Sequence, residues 1–214
     1  MQPKLKNNYQ TLLDEKLKEV ASHGVRPSLL LHACCAPCSS YVIEYLSNYF
    51  DITLLYYNPN ISPEDEYLRR SKELERLVSD MEGIGNVRTV TEKYSPKDFD
   101  KISRGLENIP EGGERCLRCY RLRLEYAARY AQNNNYDYFC TTLSISPHKN
   151  AEALNKIGSE LSLIYGVSYL LSDFKKKNGY QRSCELSEKY GLYRQNYCGC
   201  RFSALEAEKR NKHP

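Results

Sequence analysis

Short apolar runs alternate with amphipathic helical stretches along most of the sequence. The apolar runs predict five strands, at residues 28–32, 52–57, 86–90, 136–142 and 167–171. Helical periodicity predicts helices at residues 9–21, 39–49, 63–81, 115–132 and 151–165. Alternation of this kind is typical of a parallel sheet covered by helices. We therefore expect an α/β, Rossmann-like fold, in which ligands bind beyond the carboxyl ends of the strands.

The remaining segments are less regular. Residues 91–115 show no clear periodicity, and the polar C-terminal segment has one helix predicted around 184–189 and another from Phe202. The length of 214 residues suits a single domain over 1–214. Within it we expect a Rossmann-like core at about 28–203, an N-terminal helix within 1–24 and an irregular, cysteine-bearing C-terminal segment.

The cysteine content indicates which kinds of chemistry the chain can carry out. The chain has nine Cys, no apolar stretch near the ~20 residues that cross a bilayer, and no apolar signal core after Met1. We therefore expect a cytoplasmic protein without a membrane partner, whose thiols stay mostly reduced. In such a chain, clustered cysteines are more often metal ligands or redox groups than structural disulfides.

Seven of the nine cysteines fall into three tight groups. The groups are Cys34, Cys35 and Cys38 after the first strand, Cys116 and Cys119 at the start of an Arg-rich helix, and Cys198 and Cys200 near the C-terminus. Cys140 lies in an apolar strand and is expected to be a core thiol, and Cys184 is expected to be structural.

The number of grouped thiols exceeds what one metal centre needs. A structural zinc ion or a 4Fe–4S cluster takes four thiolates. The surplus indicates a second metal, a redox disulfide or a labile thiol beside the first centre. Structural zinc alone accounts less well for seven grouped cysteines, because a zinc site is complete with four ligands.

Basic and hydroxyl-bearing residues flank these groups. The helix that carries Cys116 has an arginine face, formed by Arg115, Arg118, Arg121, Arg123 and Arg129. This face is either solvated and ion-paired or a contact for nucleic-acid phosphates, to which Arg binds bidentately.

Four further residues are candidates for the chemistry. His148 and Lys149 follow the fourth strand, in a segment that suits an anion or a sugar hydroxyl. Asp173 and Tyr197 are candidate proton donors.

The same motifs, taken in order, resemble those of the QueH-type epoxyqueuosine reductases. They are His32-Ala33-Cys34-Cys35-Ala36-Pro37-Cys38, Tyr56-Tyr57-Asn58-Pro59-Asn60, Cys116-Leu117-Arg118-Cys119-Tyr120, Ser144-Ile145-Ser146-Pro147-His148-Lys149 and Tyr193-Arg194-Gln195-Asn196-Tyr197-Cys198-Gly199-Cys200. The resemblance covers most of residues 28–203. It implies an oxidoreductase that reduces the epoxide of epoxyqueuosine, at the wobble position of tRNA, to the alkene of queuosine without cobalamin.

The resemblance also implies cofactors and roles for the cysteines. Cys34, Cys35, Cys116 and Cys119 would bind a 4Fe–4S cluster. Cys198 and Cys200 would form a redox-active pair or hold a second iron, and Cys38 would belong to that second centre. The implied partners are tRNA carrying epoxyqueuosine, held by the arginine face, and an electron donor that the sequence does not identify.

Two other functions fit the residues. A zinc-stabilised RNA-binding protein without catalysis would use the same thiols and the same basic face. A thiol-based sulfur or disulfide transferase would use Cys198 and Cys200 alone. Metal and sulfide content separates these alternatives from the reductase.

Overall fold

A five-stranded parallel sheet forms the centre of the protein, in the order β3-β2-β1-β4-β5. The computed structural model describes residues 8–212. The strands are β1 Ser28–His32, β2 Asp51–Tyr56, β3 Val87–Thr91, β4 Tyr138–Thr141 and β5 Ser168–Tyr169. All five were predicted from the sequence, and the parallel sheet between helices confirms the expected α/β, Rossmann-like class.

Eight α-helices lie in the described part of the chain. They are α1 Tyr9–Ser22, α2 Ala36–Leu46, α3 Glu64–Asp80, α4 Pro96–Ser103, α5 Glu114–Asn133, α6 Ala151–Tyr165, α7 Gly179–Lys189 and α8 Arg201–Lys212. A short 3₁₀ turn, Thr142–Ile145, follows β4. No described helix is long and apolar enough to cross a membrane.

Four elements differ most from the prediction, among them α7, which begins at Gly179 instead of at about residue 184. Helix α4 lies inside the segment expected to be irregular, and its Pro at the first turn and buried Phe99 are the signals that mark it. Helix α2 begins three residues before the expected 39, because Pro37 occupies its first turn. Strand β5 is only two residues long, although an apolar run at 167–171 predicted more.

The two faces of the sheet are covered by different helices. Along β1, Leu29 and Leu31 belong to a buried cluster with residues of α1 and α2, whereas Leu30 belongs to a second cluster with residues of α5 and α6. Successive side chains of a strand point to opposite faces, so a strand that is apolar throughout must be covered on both sides. This explains why β1 reads as a continuous apolar run.

The carboxyl ends of β1, β2 and β4 meet at one edge of the sheet. His32 ends β1, and its imidazole lies 2.9 Å from Thr141 Oγ1 of β4 and 3.1 Å from the Tyr57 carbonyl after β2. Complete burial lowers the pKa of His32 to about 4, so the ring is a neutral bridge across the three strand ends. The segments that follow these strands carry the candidate site.

Candidate functional site

A cavity of about 380 Å³ opens at this edge of the sheet. Cys34, Cys35 and Cys38 line it from the β1–α2 junction, and Asn58 and Asn60 line it from the segment after β2. The C-terminal segment closes the other side with residues that include Cys198. The volume falls within the range of small-molecule sites in proteins.

The first thiol group is compact. The Sγ atoms of Cys34, Cys35 and Cys38 all lie within 4.8 Å of one another, and all three are free thiols. Hydrogen bonds from the Cys34 and Cys38 thiols hold the pKa of Cys35 well below its usual value. The contact with Cys35, together with burial, raises the pKa of Cys34 to about 11. Three thiols with one favoured thiolate, so close together, suit a single metal ion.

The second thiol group is wider. Cys116 and Cys119, in the first turns of α5, line a small neighbouring cavity together with Cys198 and Cys200. In the described chain, no three of these four Sγ atoms lie within 4.8 Å of one another. Burial raises the pKa of Cys119 to about 12, so this thiol needs a cationic partner to ionise.

Buried polar contacts fix the Cys198–Cys200 segment in place. The Gly199 carbonyl accepts a hydrogen bond from the Ser62 N–H at 3.0 Å. Gly199 has φ +115°, and a Cβ added there would lie 2.9 Å from Arg70 Nη1. Glycine is therefore required between the two cysteines by both the backbone conformation and the approach of Arg70.

Comparison with known proteins identifies the family. A family model described as epoxyqueuosine reductase QueH matches residues 29–206. The epoxyqueuosine reductase QueH of Streptococcus pyogenes is 45% identical over 206 residues, which are 95% of this chain and 81% of the relative. The chain belongs to the QueH family. A second relative, the epoxyqueuosine reductase QueH of Staphylococcus epidermidis, is 44% identical over 95% of this chain and 88% of the relative.

Membership of the QueH family confirms the resemblance inferred from the motifs. It also confirms the expected class, an oxidoreductase of queuosine tRNA modification. The grouped thiols are compatible with a metal cofactor. The described cysteines are all free thiols, so the structure contains no Cys198–Cys200 disulfide.

The arginine face expected on α5 is divided in this QueH-family chain. Arg118 and Arg121 are exposed and ion-paired with Glu114 and Glu160. Arg115 is only 2% exposed, and its guanidinium donates to the carbonyls of Leu106, Glu107 and Ile109. The surface contact with phosphate expected of Arg115 is therefore incompatible with its burial.

Arg123 also departs from the expected surface role. It is 1% exposed, and it donates from Nε to the Cys119 carbonyl at 3.3 Å and from Nη1 to Asn58 Oδ1 at 3.4 Å. The residue lines both the large cavity and the small one. Arg123 is thus an internal cation of the site, placed there by its position one helical turn after Cys119.

The two candidate residues after β4 lie at different depths of the site. His148 is exposed at the rim of the large cavity. Lys149 is buried, lines both cavities, and has its Nζ 3.2 Å from Glu111 Oε1. Burial acts to lower the pKa of Lys149, but thiolate, phenol and carboxylate neighbours outweigh it and raise the pKa, so the ammonium stays charged.

The two expected proton donors lie in different environments. Tyr197 is half-buried and lines the large cavity, with the Arg70 guanidinium 5.2 Å from its ring centroid. Burial raises the pKa of Tyr197, which keeps the phenol protonated. Asp173 is buried with Lys175 Nζ 2.7 Å from its Oδ1, and it is not among the described residues that line either cavity.

Sequence reasoning did not identify Arg70, Tyr180 or Arg210 as site residues. Arg70 lies within a long charged helix, where its i,i+4 spacing from Glu66 indicates only an ordinary ion pair. Tyr180 and Arg210 lie on α7 and α8, and both line the large cavity. No local sequence signal distinguishes these two residues, because the packing of the C-terminal helices brings them to the site.

Proposed function

We propose that this chain reduces the epoxide of epoxyqueuosine, in the wobble position of tRNA, to the alkene of queuosine. Family membership supports the reaction class. The observation that carries the proposal is the convergence of seven thiols, from three distant segments of the chain, on two neighbouring cavities at the carboxyl edge of the sheet. A tRNA substrate agrees with a cytoplasmic location.

The spacing of the thiols supports two metal centres. In a 4Fe–4S cluster each thiolate binds a different iron, so the ligands lie farther apart than those of a single ion. We assign the cluster to Cys116, Cys119, Cys198 and Cys200, whose thiols are more widely spaced. A second iron would be held by Cys34, Cys35 and Cys38. In this assignment Cys116 and Cys119 remain cluster ligands, as the family resemblance implied. Cys198 and Cys200 replace Cys34 and Cys35 as the other two cluster ligands, and Cys34 and Cys35 join Cys38 at the second iron.

The reaction sets the requirements for the protein. Removing the epoxide oxygen as water breaks two C–O bonds, forms one C=C bond and consumes two electrons and two protons. Bound iron centres would supply the electrons one at a time, from an external electron donor, and a Lewis-acidic position for the oxygen. The remaining tasks, which are orientation and proton supply, fall to side chains.

Three side chains suit these tasks. The Tyr197 phenol, which burial keeps protonated, can donate a proton into the cavity. The Lys149 ammonium, fixed by Glu111, can hold the departing oxygen. Asn60 is 2% exposed and its Oδ1 has no hydrogen-bond partner in the described protein, so we assign it a hydrogen bond from the bound nucleoside.

The rim of the cavity suits the RNA on either side of the modified base. His148, Tyr180, Arg194 and Arg210 are exposed and line the cavity. Arg side chains bind phosphates bidentately, and an exposed Tyr ring can stack on an unpaired base. We propose that the anticodon loop binds here with its modified base turned into the cavity. Arg118 and Arg121 would contribute from the surface of α5.

Metal analysis and turnover test the proposal together. Protein purified without oxygen is expected to contain about five irons and about four sulfides. With dithionite as reductant, it should convert epoxyqueuosine in tRNA to queuosine, as measured by mass spectrometry of the nucleosides. Stoichiometric zinc without sulfide would instead support the RNA-binding alternative. Conversion by metal-free protein would support the thiol transferase.

Cysteine variants test the assignment of the ligands. Cys38→Ser should lose about one iron and no sulfide, whereas Cys200→Ser should lose most of both. Cys184→Ser, outside both thiol groups, is the matched control and should keep the wild-type content. Full sulfide in Cys200→Ser, with loss in Cys35→Ser, would return the cluster to Cys34, Cys35, Cys116 and Cys119.

A further inference from the structure

Three arginines are almost completely buried, and they differ in their counter-charges. Arg70 has a Glu66 carboxylate at 2.6 Å, and Arg115 has a Glu206 carboxylate at 3.6 Å. Arg123, among residues 8–212, forms no salt bridge with a carboxylate. Its two hydrogen bonds go to neutral acceptors at 3.3 and 3.4 Å, and its Nη2 has no partner in the described chain.

A buried cation without a counter-charge is costly. Desolvating a charged group costs several kcal/mol, and a protein interior tolerates it only when an opposite charge lies close by. Arginine cannot escape this cost by losing its proton. The position of Arg123 therefore requires an anion that binds within the site.

The surroundings of Arg123 identify that anion. The residue lines the large cavity together with Cys34 and Cys198, and the small cavity together with Cys119 and Cys198. A cysteine binds a metal as the thiolate, so a bound metal would bring negative charge to both cavities. These thiols belong to both groups. A surface phosphate of tRNA is excluded as this anion, because the Arg123 side chain is only 1% exposed.

We propose that Arg123 is a positioning residue that compensates the negative charge of the metal–thiolate centres and raises the reduction potential of the cluster. The inference rests on the proposed cofactor. Each electron added to a thiolate-bound cluster increases its negative charge, and a fixed cation nearby stabilises the reduced form more than the oxidised one. Because Arg123 lines both cavities, its charge acts on both thiol groups.

Variants of the loaded protein test this role. Arg123→Met removes the charge with little change of volume, Arg123→Lys keeps the charge, and Arg123→Gln is a second neutral variant in case the Met variant does not fold. The matched control is Arg121→Met, on the same helix, where the arginine is exposed and paired with Glu160. Each protein is purified without oxygen and titrated with dithionite against redox mediators, and the reduced cluster is measured by electron paramagnetic resonance.

In the neutral variants we expect the ratio of reduced to oxidised cluster at a fixed potential to fall by about tenfold or more. This corresponds to a reduction potential that is lower by about 59 mV for a one-electron couple. Arg123→Lys should stay near wild type, and Arg121→Met should not shift. A wild-type potential in Arg123→Met with full iron and sulfide would overturn the role of Arg123 alone. If the reduction potential of Arg123→Lys shifted as much as that of the neutral variants, the charge of residue 123 would not be the cause of the shift. Wild-type protein without iron and sulfide would instead contradict the proposed cofactor.

Discussion

Arg70 Nη1 donates a hydrogen bond to the Cys198 carbonyl at 3.2 Å. The same guanidinium is paired with Glu66 and lies against the ring of Tyr197. A single buried side chain in the middle of α3 therefore fixes the C-terminal thiol segment, 128 residues further along the chain. The precision of the site depends on this contact, because the segment itself has no regular secondary structure.

Removing Arg70 should damage both stability and metal binding. Arg70→Ala leaves the buried Glu66 carboxylate without its counter-charge and releases the Cys198 carbonyl. We expect a loss of about 3–5 kcal/mol in the free energy of unfolding, measured with urea, together with lower iron content. Arg118→Ala, which breaks an exposed pair, should change the stability by less than about 1 kcal/mol. Equal effects of the two substitutions would contradict the anchoring role of Arg70.

Substitution of Gly199 should displace the thiol segment. In Gly199→Ala the new Cβ would lie 2.9 Å from Arg70 Nη1 and 3.0 Å from Ile61 Cγ1, on a backbone with φ +115°. The backbone strain alone is of order 1–3 kcal/mol. We expect reduced iron and sulfide after purification without oxygen. Gly24→Ala, where φ is +68° and no atom lies within 4 Å, controls for the backbone strain without the contact and should keep its metal.

Loss of a rim arginine should weaken the binding of tRNA in a salt-dependent manner. Arg194 is exposed beside the cavity, and its Nη1 donates to Ser187 Oγ at 3.0 Å. If it contacts one phosphate, Arg194→Ala should reduce the slope of log affinity against log salt by about one. Binding of a labelled anticodon stem-loop at several salt concentrations measures this. The exposed Lys18 on α1 provides the control, and an unchanged slope in Arg194→Ala would exclude the phosphate contact.

The pairing of Asp14 should make stability depend on pH in acid. Burial acts to raise the pKa of Asp14, but hydrogen bonds from Lys177, Gln10 and Tyr45 outweigh it and lower the pKa. A carboxyl whose folded pKa is depressed stabilises the protein above its unfolded pKa, and this contribution is lost as the pH falls through the folded pKa.

Asp14→Asn should therefore lower the stability at neutral pH and flatten its dependence below about pH 4. Urea unfolding between pH 3 and pH 7 measures both effects. Glu15→Gln, the neighbouring exposed carboxylate on α1, is the charge-matched control. An acid dependence in Asp14→Asn that matches wild type would show that another group is responsible.

Local patterns were sufficient to predict the sheet and the thiol groups. The apolar run of β1 and the helical periodicity of α6 each extend over a whole element, so the signal needs no distant contact. The end of the first strand could be located in the same way, and this placed Cys34 just beyond its carboxyl end. Helix α4 was missed because its eight residues are too few for a clear period.

The orientation of α5 about its axis could not be predicted from local sequence patterns. Its five arginines are spread over most of the helix, and nothing in their order shows which ones point inward. Packing against the sheet decided this. Arg115, Cys119 and Arg123 follow one another at intervals of four, so they share the buried face, while Arg118 and Arg121 share the solvent face.

The sequence by itself determined the α/β class, the three cysteine groups and the family, because each is encoded over a few consecutive residues or in their order. Only the tertiary structure decided which thiols are neighbours, that Arg70 anchors the Cys198 segment, and that Arg123 is a buried cation. Those relationships join residues separated by many tens of positions. They depend on how helices pack on the sheet, and that packing is a property of the whole core rather than of any one segment.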